Sequence, residues 1–139
     1  MILVDTNVVS EMMRHAPEPR VVAWLDDQSA ETLFLSTVSL AELLLGIAVL
    51  PQGRRKMELG QSLALQLAGL FGPRLLPFDA DAAKAYSRVV TKARAAGRPM
   101  GFADGQIAAV AAAHRLAVAT RDTAPFEAGG VTVVNPWVG

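Results

Sequence analysis

The chain has 139 residues, 52% of them apolar, with 13 basic and 13 acidic side chains and no cysteine. That length holds one ordinary core and not two, and the apolar content excludes intrinsic disorder. Zero formal charge excludes a general polyanion-binding surface, and a chain without cysteine has no disulfide, zinc thiolate or thiol nucleophile, so any chemistry rests mostly on carboxylates.

Met1-Ile2-Leu3-Val4 is an apolar run that stops abruptly at Asp5-Thr6-Asn7, the pattern of a short buried strand delivering a carboxylate to the C-terminal edge of a sheet. That edge is where open α/β folds place their sites. Thr6 or Asn7 is the expected cap of a helix burying Val8, Val9, Met12 and Met13, which Pro17 and Pro19 close. Arg20 to Asp27 reads as a short second helix with Val21, Trp24 and Leu25 inward. Strand Leu33-Phe34-Leu35 leads through a Ser36 or Thr37 cap into a helix from Val38 to Leu50, where Leu40, Leu43, Leu44 and Ile47 recur at helical spacing before Pro51. This run contains Glu42 and is too short to cross a bilayer, and Met1 leads straight into the strand, so a cytoplasmic protein without a membrane segment is expected.

Arg54 to Phe71 makes a further helix, Leu-rich after Leu59, whose basic start opposes the helix dipole and so suggests another use for those charges. Leu75-Leu76-Pro77 is a third strand, followed by a helix from Ala80 to about Ala96, capped by Gly97 and carrying Lys84, Arg88, Lys92 and Arg94 mostly outward. Phe102 to Arg115 is an Ala-rich helix with Asp104 in its first turn. Strand Ala117-Val118-Ala119, the loop Thr120-Arg121-Asp122, a last strand from Val131 to Val134 and a tail anchored by Trp137 complete the chain. Strands alternating with helices predict an α/β fold with a mainly parallel sheet covered on both faces. No repeat or linker interrupts it, so residues 1–139 read as a single domain.

Asp5 and Asp122 both leave strands on the same sheet edge, Glu42 lies in the most apolar helix, and Asp104 stands among Ala, Gly, Ile and Val. Each has an ordinary explanation alone, as a turn residue, a solvated helix position, a dipole-compensating acid or a strand terminator. One pocket explains all of them together. Carboxylates gathered there repel and raise one another's pKa unless a cation neutralises them. Oxygen ligands without His or Cys select Mg²⁺ or Mn²⁺, which activates water against a phosphodiester.

These residues also carry a family resemblance. Ile2-Leu3-Val4-Asp5-Thr6-Asn7, the block from Val38 to Gly46, Ala103-Asp104-Gly105-Gln106-Ile107-Ala108-Ala109 and Ala119-Thr120-Arg121-Asp122 match, in order, the acidic motifs of the PIN-domain nucleases. Over essentially its whole length the sequence resembles the VapC toxins of type II toxin–antitoxin pairs, and the ending from Phe126 through Asn135-Pro136-Trp137 looks like the FitB subgroup. The resemblance implies a three-layer α/β/α fold with a five-stranded parallel sheet of order 3-2-1-4-5. It implies a metal-dependent endoribonuclease with an acidic pocket from Asp5, Glu42, Asp104 and Asp122, where Thr120 helps hold the carboxylates and Asn7 lines the site. It further implies a VapB-like antitoxin that crosses the groove and binds promoter DNA through a domain of its own. The Leu-rich helices from Leu40 to Phe71 predict a homodimer, or a higher oligomer with the antitoxin.

On this reading Asp5, Asp104 and Asp122 ligate Mg²⁺ or Mn²⁺, and Glu42 either joins them or orients the attacking water. Arg54, Arg55, Lys56, Arg98 and Arg121 are candidate contacts to the RNA backbone. Two other classes stay open. One is a phosphotransfer domain with Asp5 as nucleophile, although Asn7 stands where such a domain of the haloacid-dehalogenase kind needs a second acid. The other is a non-catalytic or very slow nuclease acting mainly as the antitoxin-bound module of a DNA-binding regulator.

Overall fold

The apolar opening forms strand β1 (Ile2–Val4), joined by β2 (Leu33–Ser36), β3 (Leu75–Leu76), β4 (Ala117–Ala119) and β5 (Val133–Val134). In the computed structural model, which describes residues 1–138, all five are parallel and lie in the order β3-β2-β1-β4-β5. The helices are α1 (Thr6–Met12), α2 (Pro19–Asp26), α3 (Thr37–Ala48), α4 (Arg54–Leu70), α5 (Ala80–Ala95), α6 (Phe102–His114) and α7 (Thr123–Ala128), with one 3₁₀ turn at Ala30–Thr32.

Side chains alternate across the sheet, and this alternation sorts the core into two layers. Leu3 and Val118 pack on one face with Val89, Ile107, Val110 and Phe126, from α5, α6 and α7. Val4 and Ala119 pack on the other with Val8, Val9, Val21, Leu43 and Leu63, from α1 to α4. The second layer is not fully covered. Leu44 and Leu45 on α3, Val49 just after it, and Met57 and Leu65 on α4 remain exposed.

Three local expectations need correction. The N-cap of α1 is Asp5 rather than Thr6 or Asn7: the strand ends at Val4 and the helix begins at Thr6, so Asp5 alone keeps extended backbone, and its side chain accepts the Thr6 N–H at 2.8 Å. Pro17 and Pro19 do not end α1, which stops at Met12; Pro19 instead opens α2, where its missing N–H costs nothing. The last strand is only Val133–Val134, and before it lies α7, whose 6 residues are too few to show a helical period in the sequence.

One close approach matters for the site. A Cβ on Gly105 would stand 2.9 Å from the Tyr86 ring and 3.0 Å from Val90 Cγ2, so the absence of a side chain lets α6 lie against α5.

Candidate active site

Val4 of β1 pairs with Ala119 of β4, so the residues that follow, Asp5 and Thr120, leave the sheet side by side. The Asp5 N–H donates to the Ala119 carbonyl at 2.9 Å, and Thr120 Oγ1 donates to Asp5 Oδ2 at 2.8 Å. The same hydroxyl accepts from Asn7 Nδ2 at 3.3 Å and from the Asp122 N–H at 3.1 Å. Asn7 Oδ1 in turn accepts the Arg121 N–H at 3.4 Å. Thr120 is fully buried, and its one oxygen ties the start of α1 to the loop after β4.

Glu42 and Asp104 arrive from two further elements. Helix α3 starts directly after β2, where Ser36 Oγ accepts the Ser39 N–H at 3.0 Å. Thr6 Oγ1 donates to Glu42 Oε1 at 2.7 Å and lies 2.9 Å from Ser39 Oγ, which joins α3 to α1. Asp104, half-buried, stands in the first turn of α6.

Asp5, Glu42 and Asp104 line one cavity of about 400 Å³, with Asn7, Arg14 and Arg121 among the other residues of its wall. Burial pushes the Asp5 carboxyl up to about 6, with Asp104 and Glu42 adding to the rise while Thr120 and the Thr6 N–H oppose it. Asp104 is raised too, by burial first and then by Glu42 and Asp122. Asp122 is exposed and does not line the cavity; its charge reaches Asp104. Among the described residues no three acids stand close enough to hold an ion by themselves. A repelling, oxygen-only set of this kind fits a hard divalent cation that keeps much of its water and takes only one or two carboxylates directly.

Several residues of the site carry no readable signal in the sequence. Thr6 and Ser39 are ordinary small polar residues until the fold joins them to Glu42. Glu11 is buried beside the cavity, accepting the Glu18 N–H at 2.9 Å and pairing with Arg14 at 3.4 Å. Of the basic candidates, Arg121 lines the cavity and Arg55 lines adjoining clefts with Arg14. Arg54, Lys56 and Arg98 do not line it, and Lys56 Nζ donates to the Ala48 carbonyl at 3.0 Å.

Comparison with known proteins agrees with this geometry. The PIN domain model matches residues 2–130. The protein named VapC ribonuclease Y4jK, from Sinorhizobium fredii, is 45% identical over 137 residues, covering 99% of this chain and 98% of its own. Toxin FitB from Neisseria gonorrhoeae is 47% identical over 137 residues, with 99% of each chain covered. The solved structure of FitAB bound to an IR36 DNA fragment superposes with a TM-score of 0.92 at 45% identity, over 99% of this chain and 96% of that one. The five-stranded order, the acids at the sheet edge and these matches place the chain in the PIN-domain family.

Proposed function

We propose that this chain is the toxin of a type II toxin–antitoxin pair, an endoribonuclease that hydrolyses RNA phosphodiester bonds with Mg²⁺ or Mn²⁺. The observation that carries this reading is the meeting of Asp5, Glu42 and Asp104, from three separate elements, in one cavity at the C-terminal edge of the sheet. Relatives named VapC ribonuclease and Toxin FitB support it. All of residues 1–139 belong to this one catalytic domain.

In the proposed mechanism Asp5, Asp104, Asp122 and Glu42 would hold the ion, directly or through water. A divalent ion held there would supply a lowered pKa for an attacking water and an offset to charge on the phosphate. Thr120 orients Asp5 and favours its ionised form, while Asn7 fixes Thr120. Thr6 presents Glu42 towards the cavity, where its free oxygen can accept a proton from water. Water rather than the ribose hydroxyl is the nucleophile, so the products carry a 5′-phosphate and a 3′-hydroxyl.

The partner is a VapB-like antitoxin, and promoter DNA is reached only through it, in line with the FitAB complex on DNA. Leu44, Leu45, Val49, Met57 and Leu65 supply apolar surface for the antitoxin and for a second copy of the chain. No helix among the described residues is long and apolar enough to cross a membrane, and the proposed site of action is the cytoplasm.

Incubating the purified, antitoxin-free chain with pooled tRNA and mRNA tests the proposal. Cuts made with Mg²⁺ or Mn²⁺ and lost with chelator or in Asp5→Asn are the expected result. A folded, metal-loaded chain that leaves every RNA intact, or 2′,3′-cyclic phosphate ends, would overturn it.

A further inference from the structure

The cavity that holds the acids also has a basic, aromatic wall, formed by Arg14, Arg121 and Trp137. Neither arginine forms an ion pair with Asp5, Glu42 or Asp104; the ion pair found among the described residues joins Arg14 to Glu11 at 3.4 Å. The two charges therefore differ in standing. Arg14 already faces the buried Glu11 carboxylate, whereas among the described residues no carboxylate lies within ion-pair distance of Arg121, whose charge reaches Glu11 only as the smallest of the effects that lower its pKa.

Arg121 is nevertheless held in place. Its backbone N–H donates to Asn7 Oδ1 at 3.4 Å, and its guanidinium carbon lies 5.3 Å from the centre of the Trp137 ring. Trp137 is fixed in turn: its N–H donates to Asn135 Oδ1 at 2.9 Å, its carbonyl accepts from Arg20 Nη1 at 3.2 Å, and its ring packs against the second core layer. Stacking occupies the flat face of a guanidinium and leaves its N–H edge free to donate. That edge suits a phosphate, which takes two parallel N–H bonds and which the neighbouring acids by themselves repel.

We propose that Arg121, stacked on Trp137, is the phosphate-binding residue of this cavity, holding the non-bridging oxygens of an RNA phosphate beside the acids. The inference rests on the ribonuclease reading above. Arg121 touches the substrate, and Trp137 is a positioning residue that acts through it.

The test is binding of a fluorescein-labelled single-stranded oligoribonucleotide to the full chain in chelator, by anisotropy across a KCl series, alongside cleavage kinetics in Mg²⁺. Arg121→Ala is expected to weaken binding about 10-fold and to lower the salt slope by about 0.7, the share of one single-strand phosphate contact. It should raise KM more than it lowers kcat. Arg121→Lys should recover the slope but only part of the affinity, because it keeps the charge and loses the planar fork. Trp137→Leu should weaken binding in the Arg121 protein and add nothing in the Arg121→Ala background.

Unchanged slope and KM in a folded Arg121→Ala chain that still cuts RNA would overturn this proposal alone. A Trp137→Leu penalty that persists without Arg121 would make the indole a base-stacking platform and overturn the assigned order. A wild-type chain that neither binds nor cuts RNA would overturn the ribonuclease reading, and this inference with it. Thermal midpoints of every variant separate loss of fold from loss of binding, and Arg121→Gln, closer in shape, stands in if the alanine variant unfolds.

Discussion

Thr120 Oγ1 donates to Asp5 Oδ2 at 2.8 Å across the seam between β1 and β4. This bond lowers the Asp5 pKa against the larger effect of burial. Thr120→Val keeps the shape and removes the bond, so the Asp5 carboxyl should move up further and the pH–rate profile of cleavage should shift towards higher pH. The change leaves buried acceptors and donors unpaired and should cost about 1–3 kcal/mol in urea unfolding. Thr120→Ser should restore both readings, and a Thr120→Val profile that overlays wild type would contradict the role.

Asp5 gives a stability signature of unusual sign. Its carboxyl sits near 6 in the fold against an ordinary 3.8, so between these values the folded chain binds the extra proton. Stability of the metal-free chain should therefore fall as pH rises from about 4 to about 6 and level off above, by up to about 3 kcal/mol from this group. The difference between wild type and Asp5→Asn in urea midpoints isolates the effect. Adding Mg²⁺ at neutral pH should recover stability in wild type and not in the variant.

Glu11 should show the opposite sign. The Glu18 N–H, followed by Arg14, holds this carboxyl below its ordinary 4.5 despite burial. Its contribution is present above that value and is lost as pH falls through the lowered one. Glu11→Ala strands the Glu18 N–H at the start of α2 and should cost about 1–3 kcal/mol at neutral pH, shrinking in acid. Chemical unfolding at two pH values checks it.

Gly105→Ala adds one methyl where the Tyr86 ring and Val90 already stand at 2.9 and 3.0 Å. Either the Tyr86 and Val90 side chains or the helix itself has to give way, at about 1–3 kcal/mol. Because Asp104 precedes Gly105, cleavage should fall more than stability alone explains. Full activity with a reduced thermal midpoint would show that Asp104 does not follow the shift.

Much of this was legible in the residues. The strands β1, β2, β3 and β4 announce themselves as short apolar runs, and α3 to α6 as long periodic ones, so the α/β class and the sheet edge of Asp5 follow from spacing. What periodicity could not supply is what two distant segments do together. Asp5 caps its own helix because Val4 and Thr6 leave it no other role, and Thr6 finds Glu42 from 36 positions away. Trp137 reads as an anchor in the sequence, but its contact with Arg121 appears only when the tail returns to the loop after β4. The strand order came from the family resemblance, since apolar runs of 2 to 4 residues contain nothing that ranks their neighbours.

The pairing of Val4 with Ala119 has a consequence for how such a chain can vary. Side chains alternate in direction along a strand, so one residue inserted or deleted in β1 or β4 would turn Asp5 or Thr120 to the opposite side. Substitutions can be tried one at a time around the rest of the site. In these two strands a change of length breaks hydrophobic core and acidic pocket at a stroke, leaving no half-working intermediate for selection to improve.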